Sequence, residues 1–177
     1  MYKTISTVNN SMCLKINGIN DCCTGASLVM LILYWFNNKA EYSQPSIKKV
    51  ISLIQELQRV HADDYLLSDN DSNTALLTKD SQTKYGITTQ FIDCSSASEI
   101  LKQLPDLFFI LLDLSNGFHS ISGARSGNHL RYFIPNKDNI VHRKSNIFPP
   151  PETFRESGCN GYSVFGVTLN KNYFDYM

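Results

Sequence analysis

The chain alternates between apolar and polar blocks whose period differs between its two halves. Residues 26–36 are almost uninterruptedly apolar, so residues 23–36 are predicted to form a helix that is buried on every side. Residues 46–60 are predicted to form a second, amphipathic helix, because apolar residues recur at helical spacing on one face. These residues are Ile47, Val50, Ile51, Ile54 and Leu57.

From residue 87 onward the pattern becomes one of short strands. Strands are predicted over residues 87–92, 107–114, 118–124, 130–134 and 162–169. The capping box Ser96-Ala97-Ser98-Glu99 predicts a short helix that ends near Leu104. Residues 61–85 are predicted to be a surface loop followed by a short helix, and residues 137–161 to be irregular. The predicted helices come mainly before the predicted strands, and consecutive strands favour a mostly antiparallel sheet. This order predicts an α+β fold.

The length and the N-terminal composition predict one domain. A chain of 177 residues suits a single core. Residues 1–16 are polar and rich in Asn and Ser, which favours a flexible leader or a secretion signal. Residues 17–177 are then the single folded domain.

Charge and cysteine spacing exclude several classes of function. The 16 basic and 16 acidic residues cancel, with no basic run, which argues against a nucleic-acid partner. The longest apolar run is shorter than the roughly 20 residues that span a bilayer, so no integral membrane segment is expected. None of the five cysteines forms a CxxC pair, and no phosphate loop, HExxH or calcium loop is present. We therefore expect no metal and no cofactor.

Cys23 is the candidate nucleophile because it opens the predicted buried helix. The N-terminus of a helix favours negative charge and lowers the pKa of a thiol placed there, which makes the thiol more reactive. Gly25 and Ala26 follow and leave room for a substrate backbone. Cys22 lies next to it and competes for the role.

His119 is the candidate base, since a thiolate nucleophile is commonly paired with a histidine. It begins a predicted strand directly after the loop Ser115-Asn116-Gly117. His129 falls at a turn between two strands, where solvent exposure is expected. His61 and His142 lie in polar stretches of sequence, which favours structural roles.

Two further roles are assigned to residues near the ends of these elements. Asn136, or failing that Asp138, follows the strand after His119 and is predicted to orient the imidazole. The oxyanion that forms during attack needs hydrogen-bond donors. The Cys23 N–H is one, and the side chain of Asn17 or Asn20 is the second.

The order of these residues resembles the papain-like superfamily, especially bacterial effector cysteine enzymes. Residues 23–28, Cys-Thr-Gly-Ala-Ser-Leu, resemble the nucleophile helix of OspI-type glutamine deamidases. The apolar strand at 108–114, then His-Ser-Ile-Ser-Gly from His119, then residues 130–136 are similar to that group and to YopT-like proteases. The resemblance implies a papain-like fold in which the nucleophile helix packs on the sheet.

The resemblance also implies an activity and a place of action. It implies a thiol protease with a Cys-His-Asn/Asp triad, or a protein glutamine deamidase with the same triad. The expected partner is a protein substrate in the cytoplasm of a host cell into which the chain is secreted, and a monomer is expected. Ile134 stands before Pro135, where YopT-like proteases carry the catalytic Asp. That departure leaves a third alternative, a catalytically inactive papain-like adaptor.

Overall fold

The computed structural model describes most of the chain, with gaps between elements. The described residues are 5–8, 11–15, 22–37, 47–67, 76–93, 95–115, 117–135, 139–150 and 159–170. Within them lie the helices α1 (Cys23–Asn37), α2 (Ile47–Leu67), α3 (Lys79–Tyr85) and α4 (Ala97–Gln103). The strands there are β1 (Ile5–Val8), β2 (Ser11–Lys15), β3 (Ile87–Phe91), β4 (Leu107–Leu114), β5 (Gly117–Ser126), β6 (His129–Pro135), β7 (Asn139–Ser145) and β8 (Cys159–Leu169).

The helices form where the sequence predicts them, with one difference in length. Helix α1 is buried from Thr24 to Leu33, as expected of a helix that is apolar on all sides. The predicted start of α4 is confirmed: the Glu99 N–H donates to Ser96 Oγ at 3.3 Å, while the Glu99 carboxylate accepts from the Ser95 hydroxyl at 3.1 Å. Helix α2 continues to Leu67, seven residues beyond the predicted end at residue 60, so part of the predicted loop 61–85 is helical.

Within the described residues the sheet has eight strands, each antiparallel to its neighbours, in the order β1-β2-β7-β6-β5-β4-β8-β3. Three of them were not predicted. β7 lies within residues 137–161, which were expected to be irregular, and β1 and β2 lie within residues 1–16, which were expected to be a leader. The last strand, β8, lies between β4 and β3 and therefore departs from sequence order.

Two hydrophobic clusters cover opposite faces of the sheet. We call the first the helix-side cluster, because it joins α1 and α2 to Leu107, Phe109 and Leu111 of β4. The far-side cluster joins α4 to the alternate β4 residues, such as Ile110 and Leu112. Because side chains alternate along a strand, β4 is buried on both faces. This arrangement is the predicted α+β fold with the nucleophile helix against the sheet.

None of the described helices is both long and apolar enough to cross a bilayer.

Candidate active site

Cys23 is the first residue of α1, as predicted. The Ala26 N–H donates to the Cys22 carbonyl at 2.8 Å, and this is the first bond of an α-helical ladder. Cys22 is therefore the capping position, and Cys23 follows it with its backbone N–H at the positive end of the helix dipole.

The two adjacent cysteines have different surroundings. Both are half-buried thiols rather than disulfides. Cys22 packs against the helix-side cluster. The sulfur of Cys23 instead lies 3.9 Å from Ser120 Oγ on β5. The Cys23 thiol thus contacts β5, the strand that carries His119.

Three buried hydroxyl residues hold the start of α1 against β5, and we call Thr24, Ser27 and Ser120 the hydroxyl bridge. Thr24 Oγ1 and Ser120 Oγ are 2.8 Å apart. The Ser27 hydroxyl donates to the Ser120 carbonyl at 3.2 Å. All three are at most 2% exposed. Buried polar groups are costly unless they are hydrogen-bonded, so these bonds fix how the helix start sits on the strand.

Helix α2 fixes the other side of the helix start. The Gly25 N–H donates to Gln58 Oε1 of α2 at 3.0 Å, and so a side chain of another helix satisfies one of the end N–H groups of α1. A Cβ on Gly25 would lie 2.0 Å from the Ile54 carbonyl oxygen. Glycine at residue 25 therefore permits a backbone approach between the two helices that no other residue allows.

His119 lies one residue before Ser120, and its side chain is on the opposite face of β5. His119 pairs with Leu112, and Leu112 belongs to the far-side cluster. Cross-strand partners share a face, and Ile121, two residues on, is in that same cluster. Ser120 faces α1 instead. Cys23 and His119 are thus brought to one end of β5, on its two faces.

His119 lies beyond the part of β5 that is paired with β6. Within the described residues, β5 pairs with β6 from Ser126 back to Ser122. β6 ends at Pro135, which has no N–H to donate. His119 is three residues beyond the last of those pairs.

The protonation of His119 follows from its burial. Desolvation lowers the pKa of His119 below its ordinary value, because a low-dielectric surrounding disfavours the charged ring. The imidazole is therefore neutral near neutral pH and able to accept a proton.

The other three histidines have structural surroundings. His129 is exposed, as predicted, and its Nδ1 lies 2.6 Å from Asn146 Oδ1. His61 Nδ1 lies 2.8 Å from the Leu76 carbonyl oxygen. His142 is buried against the ring of Phe133, which its polar sequence context did not predict.

Four of the predicted site residues lie outside the described part of the chain. These are Asn17 and Asn20, the oxyanion candidates, and Asn136 and Asp138, the candidates for orienting the imidazole. Ile134 is described, and it packs against the far-side cluster, on the face of the sheet that carries His119. An apolar side chain thus lies on the face of the sheet that carries His119.

Sequence reasoning did not identify Ser120, Thr24 or Gln58 as neighbours of the nucleophile. Ser120 and Thr24 carry a weak signal, since hydroxyls inside an apolar helix and an apolar strand require partners. Gln58 carries none, because α2 meets α1 only in the tertiary structure.

Among the residues that the structure describes, no three His, Cys, Asp or Glu side chains cluster in a way that would hold a metal ion.

Comparison with solved structures gives a neighbour of the same architecture. The chain is similar to the crystal structure of the Pseudomonas avirulence protein AvrPphB, with a TM-score of 0.54 and 16% sequence identity. The match covers 84% of this chain and 92% of that one. The two proteins share a fold, and this confirms the papain-like α+β class. The sequence matches no protein-family model and no curated protein.

Proposed function

We propose that the chain is a cysteine-dependent amide hydrolase that acts on a protein, with Cys23 as nucleophile and His119 as base. The observation that carries the proposal is the position of Cys23. It opens a buried helix, and its sulfur contacts the residue next to His119. The fold shared with the Pseudomonas avirulence protein AvrPphB, together with the resemblance of residues 108–136 to YopT-like proteases, supports this assignment.

The reaction requires His119 to reach the sulfur. In the structure the imidazole lies on the far face of β5, beyond the described pairs with β6. Because successive side chains of a strand point to opposite faces, a change of rotamer alone would not bring the ring to Cys23, and the start of β5 would have to twist. Asn136 or Asp138 would then accept the other ring N–H, since both follow β6 directly.

The chemistry is acyl transfer through a thioester. His119 takes the proton of the Cys23 thiol, and the sulfur attacks an amide carbonyl to form a C–S bond. The C–N bond breaks as the resulting imidazolium gives that proton to the leaving nitrogen. Water then attacks the thioester while His119 accepts the proton, which releases the carboxylate and restores the thiol. The N–H of Cys23, with Asn17 or Asn20, would hold the oxyanion.

Labelling with iodoacetamide tests the pair. We expect Cys23 to label faster than every other cysteine at neutral pH, and His119→Ala to slow it by about tenfold, because the thiol loses the group that accepts its proton. Intact-mass and peptide mass spectrometry measure the rate at each cysteine. Cys22→Ala and His129→Ala are matched controls and should leave the rate at Cys23 unchanged. A fast site at Cys22, or equal slow labelling at all five, contradicts the assignment.

Protease and deamidase activities share this machinery and differ in their products. We expect new protein N-termini in host cells that express the wild type and none with Cys23→Ala. Glutamine converted to glutamate without chain cleavage would instead identify a deamidase. Proteome-wide mass spectrometry of both samples distinguishes the two outcomes and names the substrate.

A specific observation favours the inactive adaptor as a second candidate. Ile134 occupies the face of His119 with an apolar side chain, and His119 points away from α1. If labelling at Cys23 does not depend on His119, and neither product appears, the chain is a scaffold that binds without hydrolysis.

A further inference from the structure

The hydroxyl of Ser120 contacts the sulfur of the candidate nucleophile, Cys23. Ser120 Oγ lies 3.9 Å from the Cys23 sulfur and 2.8 Å from Thr24 Oγ1. Ser120 is completely buried. A buried hydroxyl between a thiol and a second hydroxyl can direct its proton to either neighbour, because the O–H rotates about its C–O bond.

We infer that Ser120 is a positioning residue that stabilises the thiolate of Cys23 by donating its O–H to the sulfur, with Thr24 donating in turn to Ser120. The inference rests on the proposed function, since it concerns the nucleophile assigned there. It adds to His119 a second group that acts on the sulfur, from the opposite face of β5.

The two-bond chain of Thr24, Ser120 and Cys23 can run in either direction. While the sulfur is protonated, the S–H donates to Ser120 Oγ and the Ser120 O–H donates to Thr24 Oγ1. When the sulfur loses its proton to His119 or to water, both hydroxyls rotate, so that Thr24 donates to Ser120 and Ser120 donates to the sulfur. The two hydroxyl hydrogens change partners, and the thiolate gains a donor that was already beside it.

The backbone of Ser120 is held independently of its hydroxyl. The Ser27 hydroxyl donates to the Ser120 carbonyl, and the strand is buried between two hydrophobic clusters. Ser120→Ala should therefore remove the donor without moving the strand. A contact of 3.9 Å is at the long end of the range for sulfur, and it should shorten when the sulfur becomes charged, because charge-assisted bonds are shorter.

Ser122 provides a matched control on the same strand. It is buried and lies on the same face as Ser120, two residues farther along β5. Its Oγ has no hydrogen-bond partner among the described residues, so it makes no hydrogen bond to Cys23. Ser122→Ala removes the same atoms from the same strand face but no donor to the sulfur.

The test is the pH profile of iodoacetamide labelling at Cys23, in which the sulfur displaces iodide and a C–S bond replaces the C–I bond. The readout is the pH at which labelling reaches half its maximal rate, in the folded protein and in denaturing urea. We expect Ser120→Ala to raise the folded midpoint by about 0.5–1 pH unit, since a donor to the charged form favours that form. Ser120→Thr keeps a hydroxyl and should give the wild-type midpoint. Ser122→Ala should also leave the midpoint unchanged.

The outcomes separate the inference from the proposed function. A wild-type midpoint equal to that in urea refutes the reactive nucleophile itself. A low wild-type midpoint that Ser120→Ala leaves in place, or that Ser122→Ala raises as much, overturns the role of Ser120 and leaves the nucleophile standing. If circular dichroism shows that Ser120→Ala is unfolded, Ser120→Cys decides, with labelling read at the peptide that contains Cys23 under reducing conditions. It keeps the side-chain shape but carries a weaker donor, should raise the midpoint by a smaller amount, and overturns the inference if it does not.

Discussion

His142 shows how one buried side chain can set the acid stability of the protein. It is 6% exposed, and its ring stacks on Phe133 with centroids 5.2 Å apart. Neither ring nitrogen has a hydrogen-bond partner among the described residues. Burial, together with the positive charges of Arg131 and Lys144, lowers the pKa of His142 from 6.5 to about 4. The folded state therefore holds the ring in its neutral form.

Stability should consequently fall as the pH drops below 6.5. The unfolded chain takes up a proton at His142 near pH 6.5, while the folded chain resists until about pH 4, so the loss is spread between those values. Between pH 7 and pH 5 we expect His142 to account for a loss of about 2 kcal/mol in the free energy of unfolding. Urea denaturation at both pH values measures it.

Substitutions separate His142 from the other titrating groups. His142→Phe keeps a ring against Phe133 and should make the decrease in unfolding free energy smaller by that amount. His129→Gln, at an exposed turn, should leave the decrease as it is in the wild type. If His142→Phe is as acid-sensitive as the wild type, the imidazole is not the group responsible.

At the scale of elements, the α1–α2 contact positions the candidate nucleophile. The two helices approach so closely at Gly25 that its backbone N–H bonds to the Gln58 side chain and its Cα faces the Ile54 carbonyl. With the hydroxyl bridge on the other side, the first turn of α1 is held between α2 and β5.

Gly25→Ala should therefore be costly, even though alanine favours helices. The added Cβ would lie 2.0 Å from the Ile54 oxygen and 2.9 Å from the Gln58 nitrogen. Both are backbone atoms, so the helices must separate. We expect a loss of about 3 kcal/mol, at the upper end for overpacking, as a lower midpoint in urea denaturation.

Gly161→Ala is the control, because a Cβ there meets nothing within 4 Å. It should change the free energy of unfolding by less than about 0.5 kcal/mol. Equal stability of the two variants would show that the close approach of α1 and α2 is not a constraint on folding.

For the whole molecule, the decisive feature is the position of β8. This last strand pairs with β4 on one side and β3 on the other. Its Phe165 is fully buried in the helix-side cluster. Among the described strands, β3 reaches the sheet only through β8. β3 is therefore joined to the rest of the sheet only when β8 is in place.

Deletion of residues 159–177 should abolish cooperative unfolding. It removes β8, so β4 loses its partner on one side and β3 loses its connection to the sheet. Deletion of residues 1–8 removes the edge strand β1, which pairs only with β2 among the described strands, and should preserve a cooperative transition. Circular dichroism during urea titration distinguishes them. A cooperative transition without residues 159–177 would contradict the central role of β8.

Local pattern was sufficient for much of this fold. The apolar run of α1, the helical spacing of α2 and the capping box of α4 are each contained within one element, and so are the strand segments of β3 to β6 and β8. The position of Cys23 at a helix start followed from where the apolar run begins, because helical periodicity acts over a few residues.

What the sequence determined by itself was thus the type of most elements, the α+β class and the position of the candidate nucleophile, Cys23, at a helix start. Only the tertiary structure decided that β8 inserts beside β4, that 139–145 and the N-terminal segments join the sheet, and that Ser120 rather than His119 faces the sulfur. The physical reason is range. Helix signals depend on neighbours in sequence, whereas strand pairing and the two faces of β5 depend on contacts between residues about a hundred positions apart, such as Cys23 and Ser120.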